Sequence, residues 1–217
     1  MKMVLTLCAL ALSFIANIAW AVDPVAIPGS RVSLVPPDRF VVAKEFAGLQ
    51  GEKASVNVSE IPGATYERLA AGFHGGATTP FSVEILGGEE LTGLPFRAHM
   101  FRGKQQSSGG EMNKWVMLID SGPILTLINV SAIKEANTLT EAQVTNMFRS
   151  VRIAATTAGD PIDALPFAIT VPPRFSHRQA VAGNSLLITQ SAPSAADKGQ
   201  PSLVIARTYQ KPIPRAL

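Results

Sequence analysis

Polar and apolar residues alternate along "SRVSLV" (residues 30–35), the period of a strand with one face buried. Pro36-Pro37 ends it, because neither proline can donate to a strand ladder. "FVVAKEFAG" (40–48) and "ASVNVSEI" (54–61), joined through "LQGEK", predict two more short strands, and three in quick succession favour antiparallel hairpins. The period then changes. Tyr66, Leu69, Ala70 and Phe73 fall at i, i+3, i+4 and i+7, so "ATYERLAAGF" predicts a short amphipathic helix between Pro62-Gly63 and Gly75-Gly76. "FSVEIL", "LPFRAHMFRG", "KWVMLIDS" and "PILTLINVSA" predict four further strands. Between the second and third of these, residues 104–113, "KQQSSGGEMN", read as a polar, Gly-rich mobile loop open to binding.

The best-signalled element is "LTEAQVTNMFRSVRI". Thr140 fits the N-cap and Gln143 the third helical position, a capping box, while Leu139 and Val144 suit the hydrophobic staple. Val144, Met147, Phe148 and Val151 continue as an apolar stripe, which predicts a helix lying across the preceding sheet. A first unit of residues 27–154 has an ordinary domain size.

Residues 155–164 read as a linker, from the composition of "AATTAGDPID" at 154–163. The opening phrase then returns: "LVPPDRF" at 34–40 is echoed by "TVPPRF" at 170–175, and an Ala-Gly pair follows each Phe at seven positions. "LPFAITVPPRF", "HRQAVAGNSLLITQ" and "SLVIARTY" predict three or four strands, with the polar stretch "SAPSAADKGQP" before the last. Residues 165–217 thus read as a β-rich partial repeat, either the start of a truncated second unit or a piece docked on the first. A three-strand meander with a bare apolar face is marginal alone.

These pieces suggest a family. "VSLVPPDRFVVAKEFAGLQ", "NKWVMLID" and "LTEAQVTNMFRSVRI" resemble the Mog1/PsbP/DcrB-like α/β sandwich proteins, and more narrowly proteobacterial periplasmic proteins of that fold. The resemblance covers about the first two-thirds of the chain and rests on structural words. It implies accessory, binding or assembly roles and carries over no catalytic residue.

Composition adds an address. Lys2, the apolar run from Val4 to Ile15 and the small-x-small Ala19-Trp20-Ala21 predict a signal peptide over residues 1–21, cleaved after Ala21. The only cysteine, Cys8, lies inside that leader and too early for a lipoprotein site, so the mature chain must be stabilised by packing rather than disulfides. That suits a bacterial periplasm, or a secreted fate without cysteine pairing. Asn57-Val58-Ser59 and Asn129-Val130-Ser131 match the glycosylation pattern, which matters only in a eukaryotic secretory route. The net charge of +3, part of it Lys2, is spread along the chain with no basic–aromatic tract, so nucleic acid is not an expected partner.

Candidate chemistry is sparse. "HGG" at 74–76 has the look of a hydrolase oxyanion loop, but no G-x-S-x-G elbow accompanies it. His99, Met100, Met112 and Met117 offer soft ligands that would suit copper, although methionines on strands are ordinary core fillers. Glu89-Glu90 reads as a solvated hairpin turn, since neighbours there do not face one cleft as a glycosidase pair must. Trp115 reads as a core anchor with ligand stacking the alternative. Phosphate and dinucleotide loops are absent.

The expectation is therefore an α+β fold, an antiparallel sheet with helices packed against it, followed by an incomplete second unit of strands. The chain reads as an exported, non-enzymatic accessory or binding protein of the bacterial envelope with an envelope protein as partner. No catalytic, cofactor or metal residue is assigned. The alternative is a periplasmic small-molecule carrier or sensor, with a pocket between the sheet and the 140–152 helix.

Overall fold

The computed structural model describes residues 23–74, 83–156, 162–163, 165, 167–181, 185–191 and 201–206. The leader, Gly75-Gly76, the second Ala-Gly pair and the final tail lie outside them. The fold is α+β.

Its centre is a seven-stranded antiparallel sheet in the order β3-β4-β5-β9-β8-β7-β6. The strands are β3 (Val41–Val42), β4 (Gly48–Gly51), β5 (Ala54–Pro62), β6 (Glu84–Glu90), β7 (Arg97–Ser107), β8 (Gly110–Asp120) and β9 (Ile124–Ile133). Alternation assigns their side chains to two faces. One face carries Val56, Val58, Met100, Met117, Ile119, Ile128 and Val130. Over it lie α2 (Glu141–Arg149), through Val144, Met147 and Phe148, and a small sheet of β1 (Val25–Ala26), β2 (Val32–Leu34) and β10 (Arg152–Ile153). The other face carries Phe101, Val116, Leu118 and Leu125 beneath α1 (Tyr66–His74), whose Tyr66 and Ala70 are buried there.

Local chemistry explains these choices. The capping box forms as read: Thr140 Oγ1 accepts from Gln143 N at 3.3 Å, and Thr140 N donates to Gln143 Oε1 at 2.9 Å. Gly48 is required where it stands, because a Cβ would lie 1.9 Å from the Val56 carbonyl oxygen and φ is +156°. A partly buried polar strap joins the small sheet to the large one. Arg31 Nε donates to Glu60 Oε1 at 2.6 Å and Arg31 Nη2 to Ser121 Oγ at 3.1 Å.

Several sequence expectations need correction. Residues 104–113 are not a loop: β7 and β8 run through them, with pairs from Lys104↔Asn113 to Ser107↔Gly110 and only Ser108 and Gly109 in the turn. A ladder is made by main-chain groups, so polar side chains extend it wherever both faces reach solvent. Glu89 and Glu90 lie in β6 opposite Met100 and His99, not in a turn. The register shifts between Ile85 and Gly87, and Leu86, 62% exposed, is the extra residue of a bulge at the sheet edge. "FVVAKEFAG" gives only the two residues of β3 before the chain bends.

Beyond β10, β11 (His177–Val181), β12 (Ser185–Thr189) and β13 (Ser202–Ala206) form a separate antiparallel meander. Leu165, Leu186 and Ile188 are its buried centre, with Phe167, Ile169, Val171 and Phe175 packed against it. No strand forms among the described residues of 165–175; that segment supplies side chains to the core instead of hydrogen bonds to the ladder. β11 lies close to β5 of the large sheet.

Candidate functional site

The residues singled out in the sequence do not converge. His99 and Met100 point to opposite faces, as neighbours on a strand must. Met100 and Met117 face each other across β7 and β8 in the α2-side core, both fully buried. Met112 pairs with Gln105, several residues along the ladder from His99, so no common coordination point exists for the four. Trp115 is 6% exposed within the same core. His74 ends α1, while the two glycines of "HGG" lie outside the described residues.

His99 nevertheless has a distinctive setting. Its ring lies 5.0 Å from His74 and 4.3 Å from Phe101, and its Nε2 is buried without a hydrogen-bond partner. Gly88 makes room for it, since a Cβ there would come 2.8 Å from that nitrogen. Burial, then the neighbouring His74, hold the imidazole pKa below its ordinary value.

Sequence reading also missed Lys114. The α2-side face is apolar where the helix covers it, but the α1-side face has a polar half beyond its helix, where Lys114, Ser131 and Ser55 lie in one cross-strand row and Asn129 and Asn57 in the next. Lys114 is 9% exposed, its Nζ donates to Ser131 Oγ at 2.6 Å, and it pairs with no carboxylate among the described residues. Burial alone lowers its pKa. Both glycosylation-pattern asparagines sit in this row of strands, directly opposite each other, and Asn129 Oδ1 is buried without a partner.

The strongest convergence lies at one end of the sheet. A cleft of about 490 Å³ opens between the 38–40 turn, the β4–β5 hairpin tip at Glu52 and Lys53, the segment 136–138, and Gln143 in the first turn of α2. Three non-glycine residues have left-handed backbone among those described: Arg39 at φ 66°, Lys53 at 52° and Asn137 at 46°. All three line this cleft. Asparagine tolerates that conformation; for arginine and lysine it costs on the order of 1 kcal/mol each. The four charged side chains here, Asp38, Arg39, Glu52 and Lys53, form none of the ion pairs found elsewhere in the described residues. Thr138 Oγ1, also at the cleft, is buried and unpartnered.

The lining supplies charges, the two amides of Asn137 and Gln143, a hydroxyl and the Phe40 ring, with no imidazole or thiol, so it is equipped to hold a polar molecule. The expected pocket between sheet and helix is filled at the middle of α2, where Val144, Met147 and Phe148 are at most 2% exposed, and the cleft opens beside the first turn of that helix. The cleft did leave a trace in the sequence. "PDRF" and "GEKA" place Arg and Lys where tight turns favour Gly or Asn.

Among the described residues no helix is long and apolar enough to cross a membrane. No family model matches the chain, and no curated protein matches it. Solved structures similar to it include the following two. The solution structure of cyanobacterial PsbP (CyanoP) from Synechocystis sp. PCC 6803 aligns with a TM-score of 0.41 and 10% identity, over 60% of this chain and 91% of that one. The crystal structure of LpqN, involved in cell envelope biogenesis of Mycobacterium tuberculosis, aligns with a TM-score of 0.41 and 14% identity, over 61% of this chain and 90% of that one.

Proposed function

We propose that this is an exported accessory protein of the bacterial envelope, of the Mog1/PsbP/DcrB-like kind, that acts by binding rather than by catalysis. Its recognition site is the cleft between the 38–40 turn and the start of α2. One observation carries this reading: Arg39 and Lys53 are both held in unfavourable left-handed backbone and both line the same cavity. Residues kept in costly conformations gather at functional sites. Glycine in either place would relieve the backbone and remove the charge, so retaining a cation serves the side chain. The envelope address comes from the amino-terminal sequence, and the absence of imidazole and thiol from the cleft favours holding over reacting.

Hydrogen–deuterium exchange of the purified protein, with and without a soluble extract of bacterial envelope, tests it. Protection is expected at 38–40, 52–54 and 136–143, and the bound molecule should be recovered with unchanged mass. Protection confined to other segments, or recovery of a converted product, would sink the proposal.

A further inference from the structure

Resting on the reading of the cleft as the recognition site, we infer that its ligand is a small dipolar molecule, bearing one anionic and one cationic group, of amino-acid to dipeptide size. Each of two walls ends in an acid followed by a base, Asp38-Arg39 on one and Glu52-Lys53 on the other. In each pair it is the base that takes the left-handed backbone. A site for a simple anion gains nothing from two carboxylates beside its cations, and a site for a simple cation gains nothing from Arg39 and Lys53. Both signs are needed only where the ligand carries both.

The charges are also uncommitted. Five ion pairs form among the described residues, from Arg102–Glu141 at 2.5 Å to Lys104–Glu84 at 3.3 Å, and none uses a cleft residue. Arginine offers a planar fork that matches a carboxylate, while lysine acts as a point charge. Asp38 and Glu52 can accept from an ammonium group. Thr138 Oγ1 is a buried hydroxyl without a partner, and such a group is normally matched. Gln143 keeps its oxygen on the helix cap, which leaves its amide NH₂ to donate. The volume of about 490 Å³ falls in the lower part of the range for ligand cavities.

The probe is L-alanyl-L-alanine, compared with its N-acetyl and C-amide forms, titrated into isotope-labelled protein and followed by amide chemical shifts. The free dipeptide should shift amides of 38–40, 52–54 and 136–143, and each capped form should bind at least about tenfold more weakly, a loss of about 1.4 kcal/mol. Lys53→Gly should abolish the shifts while leaving the protein folded and at least as heat-stable, because glycine suits its φ of 52°. Capped and free forms binding equally would overturn the dipolar ligand. So would the absence of dipeptide shifts alongside cleft protection by the envelope extract, a result that leaves the cleft itself standing as the binding site. Dipeptide shifts confined to another surface, with no cleft protection by the extract, would overturn both.

Discussion

The turns at 37–40 and 172–175 close with the same kind of hydrogen bond, and the segments that follow them part company at the third strand. Phe40 N donates to Pro37 O at 3.1 Å, and Phe175 N donates to Pro172 O at 3.0 Å. Each turn leads into an antiparallel meander, β3-β4-β5 in one case and β11-β12-β13 in the other. In the first, β5 pairs with β9 from Ala54 to Pro62, and α2 covers the Val56 and Val58 side. In the second, no described strand pairs with the outer edge of β13, where Leu203 is 44% and Val204 65% exposed. One short pattern thus yields the start of a broad sheet covered by helices or a thin meander, depending on what later chain is laid against it. The lesson is that local sequence starts a meander and distant sequence makes it stable.

The largest test of that contrast is core truncation. Phe148→Ala should destabilise the first unit by about 3–5 kcal/mol and lower the urea midpoint reported by Trp115 emission. Leu186→Ala, at a fully buried position of the small meander, should cost about 2–3 kcal/mol and leave the Trp115 transition in place. A common shift would mean that the copies unfold as one, and the contrast would fail. Next comes the strap over the first copy. Arg31→Met leaves the Glu60 carboxylate only the backbone N–H of residue 31 and should cost about 2 kcal/mol, read as a lower thermal midpoint of the same unit.

The turns give a smaller and more discriminating effect. Arg39 is left-handed and Arg174 is not. Arg39→Gly should therefore stabilise by about 0.5–1 kcal/mol, and Arg174→Gly should destabilise by a similar amount. Equal signs in denaturant titrations would mean that the two turns share one backbone shape after all. The smallest effect is acid sensitivity of the first unit alone. The His99 pKa is lowered in the fold below its ordinary 6.5, so its contribution is present above that pH and is lost as the pH falls through the folded value. His74, Glu89, Glu90 and Arg97 are the charged groups around it, and the two acids oppose the shift. Protection factors of the α1 amides, in which the intrinsic pH dependence of exchange is divided out, should fall as the pH drops below about 6.5, and His99→Phe should flatten that change; α1 protection factors independent of pH in the natural protein would refute it.

Much of this architecture was legible from periodicity. α2 announced itself through Thr140, Gln143 and the Val144–Met147–Phe148 stripe, because a cap and a helical face are both local. The α1 stripe and the strand at 123–132 were readable for the same reason. The β7–β8 extension was not, since polar residues at 104–113 look like a loop until the partner strand is known. Lys114 beside Ser131 and Arg31 beside Glu60 escaped because strand register brings together residues far apart in the chain. The cleft was half visible: Arg39 and Lys53 in turns were odd choices, but nothing local says that the two turns meet beside α2.

The long seam between β5 and β9 also sets an order of events. β7 and β8 can zip from a two-residue tip, a local event on the order of microseconds, whereas β5 reaches β9 only after the roughly 60 intervening residues have been drawn in. Until that closure the strand "ILTLINVSAI" presents an uncharged, β-prone edge to its surroundings. Refolding yield should consequently fall with protein concentration, and an early-binding chaperone would find its handle in β9.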